Sequence, residues 1–71
     1  MIGNKIRDYR KQNKMTQAEL GKLLGIAQQT LAHYESGYIE PKLDIIRKLC
    51  VIFNISADEL LEIETLQIEK E

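Results

Sequence analysis

The segment GIAQQTLAHYESG, residues 25–37, carries side chains that hydrogen-bond in both directions without a fixed charge: Gln28, Gln29 and Thr30, then His33, the chain's one histidine. A primary amide holds a donor and an acceptor at the spacing of adenine N6 and N7, so one glutamine can read a base edge through two hydrogen bonds. A threonine hydroxyl can donate to a phosphate oxygen, or its methyl can meet thymine, and an imidazole can reach either a base edge or the backbone. On an arbitrary surface the same residues are only the wet face of a helix, so the surrounding elements have to decide. Catalytic chemistry has less to work with. One histidine, one cysteine on an apolar face (Cys50), no phosphate-cradling glycine loop and no clustered ligands point away from an enzyme, a metal or a cofactor.

The elements that must position these side chains are marked by their ends. Thr16 with Glu19, and Ser56 with Glu59, have the spacing of a capping box, in which each partner satisfies a backbone N–H of the other. Met15 with Leu20, Ile26 with Leu31 and Ile55 with Leu60 bracket three helix starts as hydrophobic staples. Gly25, Gly37 and Asn54 fall where a left-handed residue ends a helix. The pattern predicts five helices, Ile2–Asn13, Gln17–Leu24, Gln28–Ser36, Leu43–Phe53 and Ala57–Glu62, and no strand of comparable clarity. Buried stripes are expected at Ile2, Ile6 and Tyr9, at Leu20, Leu23 and Leu24, and at Ala27, Leu31 and Tyr34. Ile46, Leu49, Cys50 and Phe53 mark the fourth helix as the central one. Gln28, Gln29, Ala32 and His33 are left on the outside.

Only Gly25, Ile26 and Ala27 separate the second helix from the third, the spacing of a helix-turn-helix. Here TQAELGKLLGIAQQTLAHYESG followed by EPKLDIIRKLCVIFNISADELL resembles the phage repressor and Cro class, the Xre-like helix-turn-helix proteins, over about residues 6–61. The resemblance implies an all-α, five-helix, lambda-repressor-like DNA-binding domain with its helix-turn-helix at the second and third helices. It implies a transcriptional regulator of repressor type on a pseudo-palindromic operator. Gln28, Gln29 and His33 are then the base contacts, and Gln17, Thr30, Tyr38 and Lys42 the backbone contacts. Arg10 and Glu35 occupy positions that pair in some relatives as a partly buried ion pair. The chain departs from the pattern at Ala27, where an N-capping Ser or Thr is usual, at Glu40 in a less basic loop, and at Val51, where a polar residue is common.

Composition bounds the rest. At 71 residues, 44% hydrophobic and 30% charged, the chain is one small soluble-type domain, and a single cysteine excludes an internal disulfide, which implies a reducing, cytoplasmic setting. No run is long enough to span a bilayer. The net charge of −1 hides an asymmetry: residues 1–53 hold nine basic against five acidic side chains, whereas residues 54–71 hold Lys70 against six acids. Lys5, Arg7, Lys11 and Lys14 form the wet side of the first helix, within reach of phosphate in the DNA-binding reading. The organisation expected is a DNA-binding domain over 1–62 and an acidic tail over 63–71. The tail's Ile63, Leu66 and Ile68, with Val51 or Ile52, are candidates for a symmetric homodimer contact. The rival reading is a protein-interaction module, such as an antitoxin that also regulates its own operon.

Overall fold

The computed structural model describes residues 2–61, which form five helices: α1 (Ile2–Gln12), α2 (Gln17–Leu24), α3 (Gln28–Ser36), α4 (Leu43–Phe53) and α5 (Ala57–Leu61). The ends are set locally. Glu19 N–H donates to Thr16 Oγ1 at 3.0 Å while Thr16 N–H donates to Glu19 Oε1 at 2.8 Å, and Ser56 and Glu59 repeat the exchange at 3.1 and 3.0 Å. Gly25, Gly37 and Asn54 all take left-handed conformations after α2, α3 and α4. The end of α1 uses the same device with an unexpected residue. Lys14 sits at φ 57°, its N–H donating to the Lys11 carbonyl at 3.0 Å and Met15 N–H donating to that of Arg10 at 3.1 Å. This is a Schellman closure in which glycine would be the cheaper choice.

Among the described residues nine make the core: Ile6, Leu20, Leu24, Leu31, Tyr34, Ile45, Leu49, Phe53 and Leu60. The most extensive helix contacts are those of α3 with α1 and with α2, while α4 packs less extensively against three helices, α1, α2 and α5. Arg47, Lys48 and Val51 keep one face of α4 in solvent. Its buried stripe is also rotated from the expected one. Ile45, Leu49 and Phe53 face the core, at i, i+4 and i+8, while Ile46 and Cys50 pack only half-buried at its edge. On α2, Leu20 and Leu24 fill the narrow inward stripe, and Leu23 lies on the flank with 57% of its surface exposed. Ala27 is exposed as well, because its extended backbone (φ −69°, ψ 149°) puts it outside the helix it precedes.

Two contacts tie the periphery to this core. Tyr9 stacks on Phe53 with ring centroids 5.6 Å apart, and Lys48 Nζ donates to the Leu24 carbonyl at the end of α2 at 3.3 Å. The closest approach of all is at Gly3. A Cβ there would overlap the carbonyl oxygen of Tyr34 and lie 2.6 Å from that of Glu35, so α1 meets the backbone at the end of α3 with no side chain between them. None of the described helices is long and apolar enough to cross a membrane.

Glycine substitutions of opposite sense test these two backbone statements in urea unfolding. Gly3→Ala is expected to cost about 1–3 kcal/mol, because the methyl meets backbone that cannot turn aside. Lys14→Gly is expected to gain about 0.5–1 kcal/mol, the left-handed strain removed less the added freedom of the unfolded chain. A neutral Gly3→Ala or a destabilising Lys14→Gly refutes the corresponding local geometry.

Candidate nucleic-acid interface

The α2–α3 connection is rigid despite its length. Ile26 N–H donates to the Gly21 carbonyl at 2.9 Å, and a Cβ at Gly21 would lie 3.1 Å from the Ile26 carbonyl oxygen and 3.6 Å from Gln28 Cα. The start of α3 is therefore pressed against the middle of α2. Gln28 and Gln29 are exposed in the first turn of α3, Thr30 and His33 are half-buried, and Leu31, Tyr34 and Glu35 face inward. Ala27 supplies no capping oxygen. The first N–H groups of α3 are left to water or to an incoming anion, and the helix dipole favours the anion.

One carboxylate organises the inner side of this unit. Arg10 grips Glu35 at two points, Nε to Oε2 at 2.6 Å and Nη2 to Oε1 at 3.0 Å, and its Nη1 donates to the Met15 carbonyl at 2.9 Å. Both side chains are buried, at 9% and 4% exposure. Gln17, the first residue of α2, donates from Nε2 to Glu35 Oε1 at 3.1 Å. A primary amide has two N–H groups, so Gln17 spends one on Glu35 and keeps the other for a second acceptor. The link from Gln17 to Glu35 was not legible in the sequence, since nothing local distinguishes a glutamine that braces a carboxylate from one that faces solvent.

The remaining candidates lie on or after α3. His33 and Tyr38 meet ring to ring, centroids 4.9 Å apart and planes inclined by 49°. Lys42 is exposed at the N-cap of α4 and makes no capping hydrogen bond. Val51 and Ile52 stand apart from these residues, in a shallow groove of about 350 Å³ between α2 and α4 that Leu23, Arg47 and Lys48 also line. Leu23 was expected in the core, and a stricter helical projection of the eight-residue α2 would have placed it on the flank. Ile63, Leu66 and Ile68, with the whole of 62–71, lie outside the described residues. Cys50 is half-buried, and that burial pushes its thiol above the ordinary range, which disfavours the nucleophilic thiolate. Among the described residues no group of His, Cys, Asp and Glu is arranged to hold a metal ion.

Residues 6–60 match the helix-turn-helix family model. The chain is 36% identical over 56 residues to the antitoxin PezA of Streptococcus pneumoniae, covering 79% of this chain and 35% of that protein. It is 30% identical over 70 residues to the cryptic phage CTXphi transcriptional repressor RstR of Vibrio cholerae, covering 99% of this chain and 63% of that one. The chain thus spans between about one third and two thirds of these relatives. The fold superimposes with a TM-score of 0.79 on the P22 c2 repressor protein in complex with synthetic operator 9T, at 32% identity over 84% of this chain and 91% of that one.

Removing one partner of the buried ion pair strands the other. Glu35→Ala is expected to lose about 3–5 kcal/mol in chemical unfolding, and Arg10→Met with Glu35→Leu together to lose much less than the two single changes added. Additive losses show that the pair does not couple α1 to α3.

Proposed function

We propose, because the chain belongs to the helix-turn-helix family of the phage-repressor (Xre) type, that it binds double-stranded DNA sequence-specifically and regulates transcription as a homodimer of repressor type. The observation that carries this reading is the first turn of α3: two exposed, uncharged amide side chains on an uncapped helix end, braced against α2 by a three-residue turn. In this reading α3 enters the major groove, Gln28 and Gln29 read base edges, and His33 reaches an edge one turn further on. Gln17, Thr30 and Lys42 hold the sugar-phosphate backbone, with Gln17 using the amide hydrogen that Glu35 leaves to it. Binding needs no cofactor, no catalytic step enters, and the setting is the cytoplasm.

The homodimer is supported by apolar surface that the single domain leaves wet. Val51 is 79% exposed and Leu23 57%, and both border the α2–α4 groove with Ile52. Covering this surface with a second copy, together with Ile63, Leu66 and Ile68, would set two α3 helices one DNA turn apart, roughly 34 Å, and would require a pseudo-palindromic operator. The same groove and the similarity to PezA favour a second reading, in which a protein partner covers the patch and DNA binding is autoregulatory.

Two substitutions separate the assigned roles. Gln28→Ala removes two base hydrogen bonds and no charge, so affinity for the preferred site should fall by about 1–3 kcal/mol per half-site while the salt dependence holds. Lys42→Ala removes a phosphate partner, so all sequences should bind more weakly and the salt slope should drop by about one per subunit. Undiminished discrimination by the Gln28 variant would leave the protein-binding reading in front. The dimer has its own check: Val51→Glu is expected to shift sedimentation toward the monomer, and a wild-type chain that stays monomeric while binding its site tightly excludes the dimer.

A further inference from the structure

Tyr38 is an exposed aromatic with a task that burial does not explain. It retains 76% of its surface in solvent, so its ring adds little to the core, and its ring contact is with His33. The chain is folded back to make that contact. Gly37, at φ 85°, reverses the backbone after α3. The His33 carbonyl then accepts from Tyr38 N–H at 3.0 Å, from Ile39 N–H at 3.3 Å and from Ser36 Oγ at 3.1 Å. Tyr38 N–H also reaches Ser36 Oγ at 3.4 Å. Residues 36–39 thus wrap the last turn of α3, and the two rings close the wrap at 4.9 Å.

From this geometry we propose that Tyr38 is a positioning residue for base readout, its ring holding the His33 imidazole in one orientation at the DNA-facing surface. The proposal rests on the DNA-binding reading of α3 and adds to it a residue that acts through another. A histidine side chain turns about two bonds, and one that samples several rotamers averages its preference among bases. Restricting it before DNA arrives lowers the ordering cost of binding and sharpens the preference. The ring of Tyr38, and not its hydroxyl, is the working part. In this respect the proposal departs from the backbone contact that the family resemblance implies for Tyr38.

The test uses the full chain, its preferred site recovered from random duplex DNA, and a panel of single-base variants of that site, with binding read by fluorescence anisotropy. Tyr38→Phe keeps the ring and should preserve affinity and base preference. Tyr38→Ala should narrow discrimination by about three- to tenfold, the scale of an exposed aromatic pair, and only at the base pairs that His33→Ala also affects. In the His33→Ala background, Tyr38→Ala should change nothing further. Uniform weakening by Tyr38→Phe, the mark of a phosphate-bonded hydroxyl, overturns the proposal. An unchanged effect of Tyr38→Ala without His33 overturns it also, as does a His33→Ala variant with unaltered base preference. Loss of discrimination by Gln28→Ala is read in the same panel. If that loss is present while the Tyr38 effects are missing, the positioning role fails and the DNA-binding reading stands.

Discussion

Three helices of this domain meet on one carboxylate. Glu35 on α3 accepts two hydrogen bonds from Arg10 on α1 and one from Gln17 at the start of α2, and it does so almost fully buried. A buried carboxylate is costly unless its lone pairs are filled, and here a guanidinium and an amide fill them. The energetic gain over an apolar trio of similar shape is small. The gain in geometry is larger, because a planar fork and a directed amide tolerate little sliding between helices, whereas leucines tolerate a good deal. The orientation of α3 relative to α2, on which any groove contact depends, is therefore held by directional bonds on the inner face while Leu31, Tyr34 and Leu20 supply the burial.

This division is mirrored at the helix ends. Five short helices cannot rely on intrinsic stability, since isolated helices of five to eleven residues are marginal in water. Their ends are closed by capping boxes, left-handed closures and the Lys48 contact to Leu24. The starts of α3 and α4 have no side-chain cap. The start of α3 has an alanine where a hydroxyl would serve the first turn, a loss of about 1 kcal/mol in cap energy. The uncapped N–H groups sit in the turn that holds Gln28 and Gln29, where a bound phosphate can take the place of the missing oxygen.

The local signals were the most legible part of the sequence. Capping boxes, staples and left-handed terminal residues act within five residues, and the expected bounds of α2, α3 and α4 are those the structure has. What failed needed distance. Leu23 was expected in the buried stripe with Leu20 and Leu24, but an eight-residue helix with those two already inward has no room for a third leucine on that face. Lys14 as a left-handed closure contradicts residue preference, and only the hydrogen bonds of Lys14 and Met15 reveal it. Nothing beside Gly3 in the sequence marks it, because its neighbour is a carbonyl more than thirty residues away in the chain. The site followed the same rule. The exposed glutamines were visible from helical period, whereas the Gln17–Glu35 and His33–Tyr38 contacts depend on tertiary placement and on a loop reversal.

The chemistry of the α3 surface separates recognition from attraction. Arginine or lysine at positions 28 and 29 would hydrogen-bond bases, but would also bind any phosphate, raising affinity for every sequence together. Amides have no such pull, so whatever binding energy Gln28 and Gln29 supply is conditional on the base pair in front of them. The attraction must then come from elsewhere. In this chain the cations of residues 1–53 are spread along α1, α2, Lys42 and α4 and are diluted by the acids of the C-terminal segment. In the proposed reading a single domain would therefore bind DNA weakly but selectively. Two copies on a symmetric site add their binding free energies, and discrimination that is modest per half-site becomes its square over the whole operator. In the proposed homodimer the exposed apolar surface around Val51 and the uncharged first turn of α3 would be complementary, the one joining two copies and the other making each copy selective.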